Sequence, residues 1–469
     1  MNASLQSRPT SPAGEDRYRI GTLTYTFPGM LMLMFWLLLG DFCFSLMESV
    51  TPSILPLMLS RLDAPNWLIA LFLTTIPGLF NATVCPVVSY LSDRHRGPRG
   101  RRIPFILNTL PFLCFFLILI GLAPKIAEWL VRATALQDTR VVTLTLLGLF
   151  VIGFQFFNMF VASVYYYLFN DVVPHAYLAR FLAIFRCVGT LAGSFYFFFI
   201  FPKAETHTLE IFVGAALIYG VVFVLMCRQV KEGSYPPPSP LQGGGGIVAG
   251  VRTFFVESFT RRFYWYFYLF TSFWAVAVNA SVFNIFFCQS IGLNLEQIGQ
   301  YASAALIIGG VLLLPAGILS DRLSPIRTLF FAAMTQTVLS TLPLIFLFFE
   351  IPADRVFLTY IAVVGMAIPI AALFTASELP ACMQLLPQQK FGQFSAATAL
   401  VRSLVVIVAG LLCGAWLDFL KARQAEPSLA YRHLPFWVVT FQSLATCFLW
   451  MLYREWKKRG GVRGFVPPE

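Results

Sequence analysis

The sequence predicts an all-α membrane protein: twelve transmembrane helices arranged as two pseudo-symmetric six-helix bundles. Three observations carry this. The 469-residue chain is 58% hydrophobic and only 12% charged, with 49 phenylalanines, which leaves no room for a water-soluble fold. Cutting it at charged and Pro/Gly-rich breaks gives twelve apolar runs long enough to cross a hydrocarbon core of about 30 Å. Finally, short motifs in the first half return in the second.

The runs fall at 28–58, 65–91, 103–123, 141–169, 181–201, 209–227, 263–289, 296–319, 328–349, 356–379, 391–417 and 434–453. They lack the strict alternation of β-barrel strands and are about twice the needed strand length. The first run follows a polar tail and is too long for a signal-peptide core. The chain therefore divides into an N-terminal tail (1–27), a first bundle (28–227), a linker (228–262), a second bundle (263–453) and a C-terminal tail (454–469). Within the linker, Tyr235 to Pro240 is proline-rich and Gly243 to Gly246 is a glycine run, a composition that cannot pack a core. Ile247 to Phe259 is apolar enough to form a short helix on the membrane surface.

An even number of spans puts both chain ends on one side. Segments on that side hold 22 Lys or Arg against 9 acids, whereas the opposite loops hold 9 against 10. The positive-inside rule then makes the termini cytoplasmic, in a plasma (inner) membrane. The net charge of +11 is thus a matter of topology. Nucleic acid is excluded as a partner because the basic residues are scattered over short loops and two tails.

The nine cysteines show no CxxC spacing and read as small buried hydrophobes, so no metal site is expected. No HExxH, GxSxG or HxxxxD pattern accompanies the four histidines, and no GxxxxGK[ST] loop is present. The sequence predicts no enzyme, no cofactor and no ATP-driven step. Nothing in it indicates oligomerisation, so a monomer is expected, with membrane lipid as its surroundings.

Five ionisable residues interrupt the apolar runs: Asp41, Glu48, Arg186, Glu378 and Arg402. A charge at membrane depth costs roughly 2.5–3.5 kcal/mol on insertion scales, and its retention marks ion or solute movement. Asp41 and Glu48 are seven residues apart, hence within about 20° on one helix face. Lining a central crevice, Asp41 is the first candidate for exchanging a coupling proton. Arg186 is placed about five residues into its run, close enough to snorkel, and Arg402 about eleven. Arginine keeps its proton, so each is expected to pair with an acid or touch solute.

The halves echo each other. Leu91-Ser92-Asp93-Arg94 closes the second run and Leu319-Ser320-Asp321-Arg322 the eighth; Asp171 near the end of the fourth matches Glu378 in the tenth, and Arg186 matches Arg402. Such duplication lets a transporter rock about a central site. The stretch Ser92-Asp93-Arg94-His95-Arg96-Gly97-Pro98-Arg99-Gly100-Arg101-Arg102-Ile103-Pro104-Phe105-Ile106 resembles the loop between helices two and three of the major facilitator superfamily. In its lengthened form it is similar to the sucrose transporters and the glycoside, pentoside and hexuronide cation symporters. The resemblance implies a sugar or glycoside solute moved with a proton or a sodium ion.

The same loop has a physical reading. Asp93 can accept from free helix N–H groups, and Arg94, Arg101 and Arg102 can pair with acids or lipid head groups, making a cytoplasmic gate that the resemblance also implies. Asp171, Gly317, Asp321, Arg322 and Glu378 are expected to belong to that gate. For the solute, sugar hydroxyls need groups that donate and accept, and sugar rings stack on aromatics. Gln155, Asn158, Tyr165 and Tyr166 on the fourth helix, and Trp274, Asn279 and Asn284 on the seventh, are the candidates. Three functions stay open on these grounds: a proton-coupled sugar importer, an exporter of amphipathic compounds, and a non-transporting sensor or lipid-handling protein on the same fold.

Overall fold

The computed structural model describes residues 18–134, 138–235, 254–387 and 390–468. Its twelve spanning helices are α1 Phe27–Arg61, α2 Asn66–Arg94, α3 Ile103–Ala133, α4 Thr139–Val172, α5 His175–Lys203, α6 Thr208–Gln229, α7 Arg262–Ser290, α8 Leu295–Leu323, α9 Pro325–Phe348, α10 Ala353–Leu385, α11 Phe391–Lys421 and α12 Pro427–Lys458. The start of α1 and the end of α12 lie on one face, here the terminal face; the opposite one is the far face. A two-stranded hairpin, Arg19–Ile20 with Leu23–Thr24, precedes α1. Of the expected linker helix, residues 254–259 are helical and 247–253 lie outside the described residues.

Local chemistry sets the helix ends. The Thr26 hydroxyl accepts from the Gly29 amide to start α1, and Asp138 accepts from the amides of Arg140 and Val141 to start α4. At α8, Asn294 and Gln297 satisfy each other's backbone amides as a reciprocal cap. The helices outrun the apolar segments, because an exposed polar end can continue a helix into the head-group region. One consequence falls on α5, which begins at His175, six residues before the expected start. Helix α7 is not continuous but is broken by a 3-10 turn at Ala280–Phe283.

The apolar core is divided unevenly. One cluster runs through the first bundle and on into the far-face half of the second, reaching Phe283, Tyr360, Cys413 and Leu417. A separate cluster, with Phe267, Phe330, Phe394 and Trp456, fills only the terminal-face half of the second bundle. The bundles thus share a core on the far face and part toward the terminal face.

Candidate functional site: a crevice open to the terminal face

Contacts between the bundles define where the crevice is shut. At the far face, the Asp418 carboxylate of α11 accepts from the Asn66 amide (2.8 Å), the Asn66 side chain (2.9 Å) and the Trp67 amide (3.1 Å), capping the start of α2 across the interface. Tyr431 donates to Asn66 Oδ1 at 2.7 Å. The approach is tight enough that a Cβ on Gly414 would sit 2.5 Å from the Asn66 carbonyl oxygen. Deeper in, Thr75 donates to the Ile407 carbonyl (3.1 Å), and the Ser194 and Ser303 hydroxyls meet at 2.7 Å. The last close approaches are Thr190 to Gly310 and Ile407 to Gly78, near mid-membrane.

Level with that closure lies a cavity of about 330 Å³, within the range of small-molecule sites. Phe44, Ser45, Glu48, Tyr166, Gly189 and Leu306 line it, the last from the second bundle. Asp41 is only 1% exposed. Ser45 donates to its Oδ1 at 3.5 Å, while its Oδ2 is buried without a donor among the described residues. Gly189 of α5 leaves room for this pair, since a Cβ there would come within 3.1 Å of Ser45 Oγ. Glu48, one face along α1, is exposed to the cavity and accepts from Asn158 Nδ2 at 2.6 Å.

Arg186 lies in electrostatic reach of Asp41, and Arg402 of Glu378. The sequence expectation for Arg186 needs correcting. With α5 starting at His175 it is eleven residues in, the same depth as Arg402 counted from Phe391, so neither is a shallow snorkelling residue. Both are exposed. Glu378 also departs from its expected place. It is seven residues from the end of α10, whereas Asp171 is one residue from the end of α4, so the two are not at matching depth.

The expected solute wall is only partly on the crevice. Tyr166 is half exposed and lines the cavity. Tyr165 is fully buried, donating to the Leu37 carbonyl at 2.6 Å, and so is withdrawn from any solute. Gln155 is 8% exposed, and Asn158 is committed to Glu48. On α7, Trp274 stacks on Phe374 at 4.1 Å, Asn279 donates to the Ala275 carbonyl and Asn284 meets the Tyr360 hydroxyl. The 3-10 turn separates Asn279 from Asn284, so they do not act from one helical face.

At the terminal face the long loop of the first bundle is tightly wired. Asp171 receives Arg101 Nη2 at 2.5 Å, Arg101 Nε at 2.8 Å and Arg102 Nε at 3.1 Å. Arg102 also pairs with Asp93 and donates to Ser92 at 2.5 Å. Glu232, which no motif in the sequence marks out, accepts from the amides of Arg101 (2.9 Å), Arg102 (2.8 Å) and Ile103 (2.6 Å) and so caps α3. Tyr235 donates to Glu232 and lies 4.1 Å under the Arg101 guanidinium. The hydrogen bonds to Asp171 hold Arg101 above its ordinary pKa, and burial pushes the Tyr235 hydroxyl up. Arg94 rests over the Tyr90 ring. In the second bundle Asp321 and Arg322 are exposed and make no ion pair among the described residues, and Gly317 faces open space.

The family model described as MFS/sugar transport protein matches residues 37–452. The chain belongs to that family. This MFS protein is a transporter and not an enzyme. No curated protein sequence matches it significantly. Among solved structures it is similar to a bacterial homologue of the human lysosomal transporter Spinster, inward-facing and unoccupied, with TM-score 0.66 and 14% identity over 95% of this chain and 100% of that one. A D-xylose–proton symporter gives 0.62 at 14% identity, over 92% of this chain and 98% of the other. A bacterial homologue of the iron transporter ferroportin gives 0.61 in its inward-facing state and 0.55 in its outward-facing state, at 15% and 16% identity over 90% of this chain and 98% and 99% of those chains. At such identities the likeness is one of fold.

Proposed function

We propose that this transporter moves a small polar organic solute, a sugar or glycoside, across the plasma (inner) membrane together with a proton, by alternating access. The terminal face is cytoplasmic in this reading, the protein works as a monomer, and the conformation described is inward-open. One observation carries the proposal: the orphaned, enclosed carboxylate oxygen of Asp41, in the same helix face as Glu48 and beside a solute-sized cavity at mid-membrane. A buried carboxylate oxygen without a donor is costly, and binding a proton is the simplest way to remove that cost. The neighbouring Arg186 keeps its charge throughout and can alternate between the ionised acid and the solute. Coupling follows if solute and proton favour the same bundle movement.

The resemblance of the Ser92–Ile106 loop to sugar and glycoside symporters supports the solute class, as does the fold likeness to a D-xylose–proton symporter. The test is uptake of a panel of labelled sugars and glycosides into proteoliposomes. Accumulation above equilibrium is expected only under an inward proton gradient. Equal uptake with and without that gradient, or uptake that follows sodium instead, would contradict proton coupling.

A further inference from the structure

The two mid-membrane arginines are related more closely than their sequence spacing suggests. Each lies eleven residues, about 16 Å, into its helix from the terminal face. Each also precedes a residue facing the inter-bundle space by seven positions, which places it within about 20° of the same face. For Arg186 that residue is Gly193, which lines the cavity of about 330 Å³. For Arg402 it is Ala409, which with Val406, Thr74 and Asn279 lines a void of about 10 Å³ between the bundles. Both arginines therefore fall on the inter-bundle face of their helices, one from each bundle, on the terminal side of the last close approaches between the bundles. Both are exposed, and no carboxylate lies within 4.0 Å of either among the described residues.

The nearby acids do not fill this role. Asp41 is enclosed at 1% exposure, Glu48 is held by Asn158 and Glu378 is half-buried on its own bundle. Two accessible guanidinium groups at membrane depth, each offering a planar fork of donors, suit a planar or tetrahedral oxyanion. We propose that Arg186 and Arg402 form a two-sided anion clamp, so that the transported solute carries a carboxylate or phosphate group. This deepens the preceding reading and rests on the crevice being the transport path. An anion between the arginines would screen their mutual repulsion as the bundles approach on the terminal side, favouring closure of the loaded carrier.

The test uses purified full-length protein at fixed ionic strength. Thermal unfolding is followed with glucose 6-phosphate, D-glucuronate, succinate and inorganic phosphate, and with glucose and methyl glucoside as neutral counterparts. At least one anion is expected to raise Tm in a saturable way. Its affinity should fall about tenfold or more in Arg186→Gln and in Arg402→Gln, and less in the matching lysine variants, which keep the charge and lose the fork. Ligand-free Tm and a single size-exclusion peak establish that each variant is folded. No shift with any of the four anions, or a shift unchanged in both glutamine variants, overturns the clamp. Gradient-driven uptake of a neutral sugar with full affinity in those variants removes the clamp and leaves the transport reading intact. Arginine-dependent anion binding without uptake does the reverse.

Discussion

The two copies of the Ser-Asp-Arg motif end in different physical situations. In the first bundle Asp93 meets Arg102, whose guanidinium also holds the buried Asp171, and Glu232 caps the helix that follows. In the second, Asp321 and Arg322 stand exposed and unpaired among the described residues. Loop length explains the difference. Eight residues, 95–102, separate α2 from α3 and return two arginines toward the helix end, whereas Ser324 alone, at φ +83°, joins α8 to α9. A duplicated motif thus became a fixed strut in one half and a loose edge in the other. The wired copy joins the first bundle to the start of the linker at Glu232 and Tyr235, so it shapes that bundle's rim, and among the described residues its ion pairs do not reach the second bundle.

The comparison predicts unequal costs. Arg102→Ala leaves Asp171, 5% exposed, with an incompletely paired buried charge and should destabilise by about 3–5 kcal/mol, read as a large fall in Tm of the purified protein. The equivalent change in the second copy, Arg322→Ala, should stay within about 0.5 kcal/mol. Similar losses at both positions would erase the distinction. Glu232→Gln keeps the shape of the cap and removes its charge, and should cost about 1–2 kcal/mol. At the far face, Asp418→Asn weakens a cap that crosses between bundles. Labelling of Cys413, 3% exposed at that interface, by an impermeant thiol reagent should then rise about fivefold, with the site located by mass spectrometry. The smallest effect is expected for Asp321→Asn, with Tm unchanged; a clear fall would mean that its bundle holds it in another state.

Much of this architecture was legible in the chain. Twelve apolar runs, the repeated motifs and the loop of arginines are patterns of composition and spacing, and each has a counterpart in the twelve helices and the first-bundle network. Depth was harder to read. Cutting at charged residues shortened the start of α5 by six residues and made Arg186 look shallow, because the cut fell at Arg180 although the helix runs on through it to His175. The partners of Asp418 and Glu232 were not legible at all. They are backbone amides 352 and 129 to 131 residues away, and a backbone amide leaves no mark in a sequence. Tyr165 and Tyr166 are adjacent and chemically alike, and only packing decides that one is sealed against Leu37 while the other faces the cavity.

The most direct test of proton coupling compares two readouts of Asp41→Asn in proteoliposomes. The account predicts that the variant still exchanges labelled solute across the membrane but no longer accumulates it when a proton gradient is imposed. Gradient-driven accumulation by Asp41→Asn at the wild-type level would contradict the account.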